Sequence, residues 1–332
     1  ISTVKESAFD KENIHSIVDK INNSLKEGRV TKEDVKKDKK VLKKAEKLLD
    51  RKEKLEKQKE ILGDRNSYST TDNDASAMKM KRSEEIKPAY NEGIATENGF
   101  VVDYVISQNA ADTVSFKELA NGAIHNLGEK PEAIIADAGY GSAENYYYLK
   151  EEEIENFVKF QGYHSENKMG DRFKLKDVTY DSSNDSFQCI NKQNLIFSHT
   201  QIRETKTGYK VTTRIYKAEE SSCGKCTIAA YCTTAKFRTL SVNPKLEEHK
   251  KIVRENLKSD KEIKLKKQRC FDVETVFANR KWNAANRRYL LRGKAKVNLE
   301  AGLVYLTHNI KKIFIYIMSK FDPLTPIKSI II

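Results

Sequence analysis

No apolar run in this sequence reaches the ~18 residues that a membrane-spanning helix needs. The most apolar stretch, Ile313-Phe314-Ile315-Tyr316-Ile317-Met318, is short and flanked by lysines. There is no basic-then-apolar leader, so no signal peptide is expected. Cysteine is scarce, and its odd count of five fits a reducing cytoplasm better than a disulfide framework. Acidic residues are outnumbered: 48 Asp and Glu stand against 61 Lys and Arg, for a formal net charge of +13. With one third of its residues charged, the chain reads as a basic, soluble protein, a balance that suits a polyanion partner such as nucleic acid or else a lysine-rich solvated surface. The length of 332 residues allows one large domain or two.

What is present is organised around Ala133-Ile134-Ile135-Ala136-Asp137-Ala138-Gly139-Tyr140-Gly141-Ser142. Four small or apolar residues predict a short strand covered on both faces, with Asp137 at its C-terminal end. Gly139 and Gly141 let the backbone turn away, and Ser142 is placed to cap a helix running through Tyr146 and Leu149. A carboxylate at a strand end suits a metal ion, or else it merely caps the turn.

Upstream, Ile14, Ile17, Val18, Ile21 and Leu25 mark one helical face. After Gly28, Val41, Leu48, Leu55 and Leu62 recur at heptad spacing in a second helix. A helical hairpin or short coiled-coil arm is expected over residues 1–63. Between Thr31 and Glu60 it carries 13 basic and 8 acidic residues, which suits a solvated face or a DNA-facing arm. Strands are predicted at Tyr90–Thr96 and Phe100–Ser107 about an Asn98-Gly99 turn, then a helix at Val114–Leu127 and a strand at Phe157–Phe160. Residues 165–245 alternate apolar and polar, at Phe173-Lys174-Leu175, Ser186–Ile190, Leu195-Ile196-Phe197 and Tyr209–Thr213. They predict an antiparallel β segment. It holds Cys189, Cys223, Cys226 and Cys232, a set that could close a tetrahedral zinc site or simply pack.

From Leu246 the chain is helical and basic. Val273, Val276 and Phe277 form an apolar face beside Glu274. Between Arg280 and Lys296 there are seven basic residues and no acidic one, with Trp282 and Tyr289 interleaved, a mix that offers phosphate contact and base stacking. Leu299, Leu303, Leu306, Ile310 and Ile313 predict a closing helix packed on the sheet.

Three carboxylate stretches thus follow in order, at Thr71-Asp72-Asn73-Asp74-Ala75, at Ala136-Asp137-Ala138-Gly139-Tyr140 and at Val273-Glu274. With Tyr90-Asn91, Lys281, Arg287-Arg288-Tyr289-Leu290-Leu291-Arg292-Gly293 and His308-Asn309-Ile310-Lys311-Lys312, the sequence resembles the DDE transposases of bacterial insertion sequences. The resemblance is to the group with a long β insertion between the second Asp and the Glu, and it extends from about residue 63 to the last helix. Departures stand at Ala89, where the family has Gly, and at Thr275 and Ala278-Asn279-Arg280, where it has Pro and a Gly-Gln-Ile run.

The resemblance implies an α/β fold. Its RNase H-like core, a mixed sheet with flanking helices, spans residues 64–164 and 246–332, interrupted by the β-rich, cysteine-containing insertion at 165–245. It implies a triad of Asp72, Asp137 and Glu274, with Asp74 as alternative to Asp72, holding two Mg2+ (or Mn2+) ions for DNA cleavage and strand transfer. Lys281, Arg287, Arg288, Tyr289, Arg292 and Lys294 become DNA-binding residues. The implied partners are terminal inverted repeats and target DNA, handled by a homodimer in the bacterial cytoplasm at the nucleoid, with no membrane involved. The initial isoleucine suggests an N-terminally truncated chain. The competing expectations are an inactive remnant that only binds DNA, and a zinc-ribbon interaction protein with a coiled-coil arm.

Overall fold

Asn98 and Gly99 both take positive φ, 51° and 76°. That is the backbone of a type I′ turn, whose twist matches the strands it joins. It connects β3 (Asn91–Glu97) to β4 (Phe100–Ser107) in an antiparallel hairpin, in register from Asn91 opposite Ser107 to Glu97 opposite Phe100. The computed structural model describes residues 32–80, 84–166, 175–205, 207–283 and 285–321, with scattered positions between 16 and 28. The first of the two helices expected at the N-terminus lies largely outside the described residues, as does the Phe173-Lys174 part of one expected strand.

The chain divides into two compact units, Ile1–Pro88 and Ala89–Ile332. The first contains helix α1 (Lys32–Leu62), which ends at Gly63 with φ of 53°. A two-stranded sheet follows, β1 (Ser76–Lys79) with β2 (Ile86–Ala89). On α1, Leu48 and Leu55 of the heptad stripe are exposed.

In the second unit, α2 (Phe116–Leu127) packs on β4 and stops at Gly128, whose left-handed N–H donates to the Ile124 carbonyl. Then come β5 (Ala133–Ile134), α3 (Ala143–Glu151) and β6 (Glu155–Asn156), with β5 and β6 parallel. β5 covers only the first half of the expected Ala133–Ala136 strand, and β6 lies just before the strand expected at Phe157–Phe160, where no strand forms. The Val158 N–H turns back to the Asn156 side chain at 2.9 Å, and Phe157, Val158 and Phe160 fill the core as irregular chain. Residues 133–136 are half-buried rather than fully covered.

The insertion is a five-stranded antiparallel sheet in the order β11-β10-β9-β8-β7. Its strands are β7 (Thr179–Asp181), β8 (Ser186–Gln188), β9 (Asn194–Glu204), β10 (Lys210–Ala218) and β11 (Thr239–Val242). Two short helices, α4 (Glu220–Gly224) and α5 (Ala229–Cys232), lie between β10 and β11. Phe187, Leu195, Tyr216 and Leu240 make its own small core. Its hairpin tip is tied to the N-terminal turn of α3. Thr207 donates to the Glu144 carboxylate at 2.6 Å, and Lys117 pairs with the same carboxylate at 3.0 Å. Burial opposes ionisation of Glu144, yet these partners hold its pKa below the ordinary value.

Helices α6 (Pro244–Asn256) and α7 (Asp260–Arg269) follow, capped by Asn243 and Ser259. The chain then widens into a π-helical turn, Cys270–Glu274. It tightens into α8 (Thr275–Ala278) and widens again at Asn279–Asn283. Helix α9 (Lys294–Phe321) closes the fold on β4. It does so with an unexpected face: Val297, Ala301 and Tyr305 are buried, whereas Leu299, Leu303, Leu306, Ile310 and Ile313 are exposed. The reason lies in β4. The Tyr104 hydroxyl occupies the space where a side chain at Gly302 would begin, and the Asn309 amide both donates to and accepts from the Val101 backbone, at 2.8 and 2.9 Å. Close approach and a satisfied strand edge fix the rotation of the helix.

No described helix is long and apolar enough to cross a membrane. The mixed α/β architecture expected from the sequence is present. Among the described residues, β3–β4 and β5–β6 pair as separate short ladders rather than as one continuous mixed sheet.

Candidate active site

Asp137 follows β5 in an extended conformation and precedes a single 3-10 turn, Ala138–Tyr140. Its side chain caps nothing there, and 69% of it is exposed. The two glycines beside it serve close packing rather than a left-handed turn. A Cβ on Gly139 would strike the Asp112 carboxylate, and one on Gly141 would strike the Lys159 carbonyl. Ser142 caps α3 as expected, accepting from the Asn145 N–H at 3.1 Å. The buried Asn145 amide then holds the loop by donating to the carbonyls of Tyr140 and Thr113, at 2.8 and 3.1 Å. Tyr140 lies beneath, against Phe116, and its phenol is pushed up to about 12 by burial and by the charges of Asp112 and Asp137.

Glu274 is the last residue of the first π-helical turn. Its neighbours Val273, Val276 and Phe277 face the core while its own side chain is 64% exposed. Such wide turns are rare and tend to mark functional sites. The two carboxylates converge on one guanidinium. Arg269, at the end of α7, donates to Asp137 Oδ1 at 2.7 Å, and its other terminal nitrogen lies 3.6 Å from Glu274 Oε1. Arg269 itself is 19% exposed, so a cation is held between two acidic side chains at the surface. Sequence reasoning missed its role, because nothing local separates it from the lysines preceding it on α7.

Asp72 belongs to the first unit, where its carboxylate accepts from the Asp74 N–H at 3.2 Å. Both carboxylates are half-buried.

The basic segment is mostly open. Lys281, Arg287, Arg288, Arg292 and Lys294 are exposed, and the Arg287 guanidinium stacks over exposed Trp282 at 4.2 Å. Tyr289 differs: it turns inward to a buried cluster. Its hydroxyl and that of Tyr305 donate to Glu92 Oε1, at 2.8 and 2.6 Å, while Arg280 pairs with the other Glu92 oxygen. This cluster ties β3 to the segment following Glu274. Its one sequence signal is a Glu placed inside a strand between Asn91 and the apolar Ile94.

Cys189, Cys223, Cys226 and Cys232 all line one cavity of about 30 Å3 in the insertion, whereas Cys270 is exposed elsewhere. Among the described residues, no three His, Cys, Asp or Glu side chains are gathered closely enough to hold a metal ion. The Asp137 and Glu274 pair still fits a hard divalent ion in kind. It is an all-oxygen, exposed donor set that already shares a cation, and magnesium takes one or two carboxylates and keeps its remaining waters.

Residues 188–314 match a protein-family model described as a transposase DDE domain. The matched stretch begins at the end of β8 and runs into α9, taking in Glu274 and the basic segment. It supports the DDE transposase family that the motifs suggest. No curated protein and no solved structure is detectably similar to the chain.

Proposed function

We propose that the chain is a DNA transposase with an RNase H-like catalytic core, cleaving and joining strands at insertion-sequence ends by DDE chemistry. The observation that carries this is the convergence of Asp137 and Glu274, far apart in sequence, on the single Arg269 guanidinium. The transposase DDE match over residues 188–314 agrees with it. Asp72 is the proposed third carboxylate on its motif alone, with Asp74 as the alternative.

In this reading Asp137 and Glu274 hold Mg2+ or Mn2+ in place of the guanidinium. Such ions, when bound, lower the pKa of the attacking water or 3′-OH and stabilise the leaving oxygen. Lys281, Arg287, Arg288, Arg292 and Lys294 bind phosphates along the DNA. Tyr289 acts from beneath them by keeping the Glu92–Arg280 cluster in place. Two chains acting on paired ends would form the working unit.

A nicking assay on supercoiled plasmid with magnesium or manganese tests the proposal. The parent should nick, and Asp137→Ala and Glu274→Ala should each lose at least about a thousandfold in rate. Salt-sensitive DNA binding without metal-dependent nicking in any of the three would overturn it, leaving a chain that only binds DNA.

A further inference from the structure

The four cysteines of the insertion come from three separate places in the chain. Cys189 opens the tight turn between β8 and β9. Cys223 lies in α4, Cys226 just beyond it, and Cys232 ends α5. The fold brings all four to the wall of one cavity of about 30 Å3, otherwise lined largely by apolar side chains such as Val178, Leu195, Ala218 and Ile228. That space is large enough for a water-sized or ion-sized guest.

Packing alone does not account for what surrounds the sulfurs. The Gln193 backbone N–H donates to Cys189 Sγ at 3.4 Å, the Arg238 backbone N–H to Cys223 Sγ at 3.5 Å, and the Asn191 side-chain amide to Cys226 Sγ at 3.4 Å. Sulfurs that receive N–H donors in this way match the outer hydrogen bonds that surround metal-bound sulfur. The Arg238 guanidinium adds positive charge beside Cys232, whose carbonyl it also binds at 2.5 Å. Four sulfurs on one cavity wall, three of them receiving N–H donors, call for a soft dication at the centre. Its second shell of N–H donors is already in place.

We propose that Cys189, Cys223, Cys226 and Cys232 form a structural site for one zinc ion, stapling the β8–β9 turn to the α4–α5 segment. The four line the cavity as free thiols and are not gathered at ligating distance, so binding requires the sulfurs to move inward. Soft sulfur ligands exclude magnesium and calcium, and four of them with no open position describe a structural centre rather than a catalytic one. This site is independent of the carboxylates and of any DNA chemistry.

The test is the metal content of the full chain, purified under reducing conditions without added chelator. About one zinc per chain is expected, released stoichiometrically by a mercurial thiol reagent. Cobalt substitution should give the visible spectrum of a tetrahedral thiolate centre. Cys223→Ser and Cys232→Ser should lower zinc affinity by at least about a hundredfold, whereas Cys270→Ser should retain full occupancy. Because the serine variants can fail through misfolding, the mercurial titration of the parent stands as the second measurement. Iron in place of zinc, no tight metal after zinc titration, or equal loss in Cys270→Ser would each overturn the proposal.

Discussion

Arg280 is the charged side chain most completely withdrawn from water among the described residues, at 5% exposure. Its charge is answered by Glu92, and the second Glu92 oxygen is filled by two phenols. Such a pair adds little over well-packed apolar residues, but breaking it strands a charge in the interior. Arg280→Met should therefore cost about 3–5 kcal/mol in urea unfolding. The double variant Glu92→Met with Arg280→Met should cost less than the sum of the two single changes, because no lone charge remains. Strictly additive losses would show that the two side chains act independently. None of this was legible in the chain's motifs, where Arg280 counted only as one basic residue among seven. Glycine spacing and an apolar helix face single out Asp137 and Glu274 locally, and the structure sets both beside Arg269. Arg269 was not legible, because its role depends on where the end of α7 meets the loop after β5.

At the scale of elements, local chemistry carried the prediction wherever an element is set by its own residues. The Asn98-Gly99 turn and both strands around it stand almost where expected, as does the Ser142 cap. Helix α9 shows the converse. Its sequence offers two apolar faces, and the longer stripe through Leu299 and Leu303 is the one left in water. Val297, Ala301 and Tyr305 took the contact because β4 demands close approach at Gly302 and a polar clamp at Asn309. Periodicity counts apolar residues and cannot weigh proximity against bulk. Val297→Ala should cost about 2 kcal/mol, as expected for truncating a fully buried side chain. Leu303→Ala should stay within about 0.5 kcal/mol. Thermal unfolding of the two variants decides it, and a larger loss at Leu303 would mean that the other face packs.

For the whole molecule, the α/β class was readable from the order of strand and helix patterns and the antiparallel β segment from its apolar–polar alternation, while sheet continuity was not, because which strands pair depends on long-range contacts that no local pattern records. The same core that escaped the sequence sets an alkaline limit on stability. Burial raises the Tyr140 phenol to about 12, with Asp112 and Asp137 adding to the shift, and raises Tyr146, Tyr289 and Tyr305 further. An ordinary tyrosine ionises near 10. Between that value and its folded pKa, each of these residues loses its proton in the unfolded chain and keeps it in the native one. Rising pH therefore favours unfolding, and the stability that each neutral phenol represents is whole below about pH 10 and drains away above it. Each contributes a slope of about 1.4 kcal/mol per pH unit, which for Tyr140 ends near pH 12. The unfolding midpoint in urea should be flat from about pH 8 to 9.5 and fall steeply beyond, and Tyr140→Phe should make that fall shallower by one proton's worth. A midpoint that holds steady to about pH 11 would mean that these phenols ionise in the folded protein as freely as in the unfolded chain.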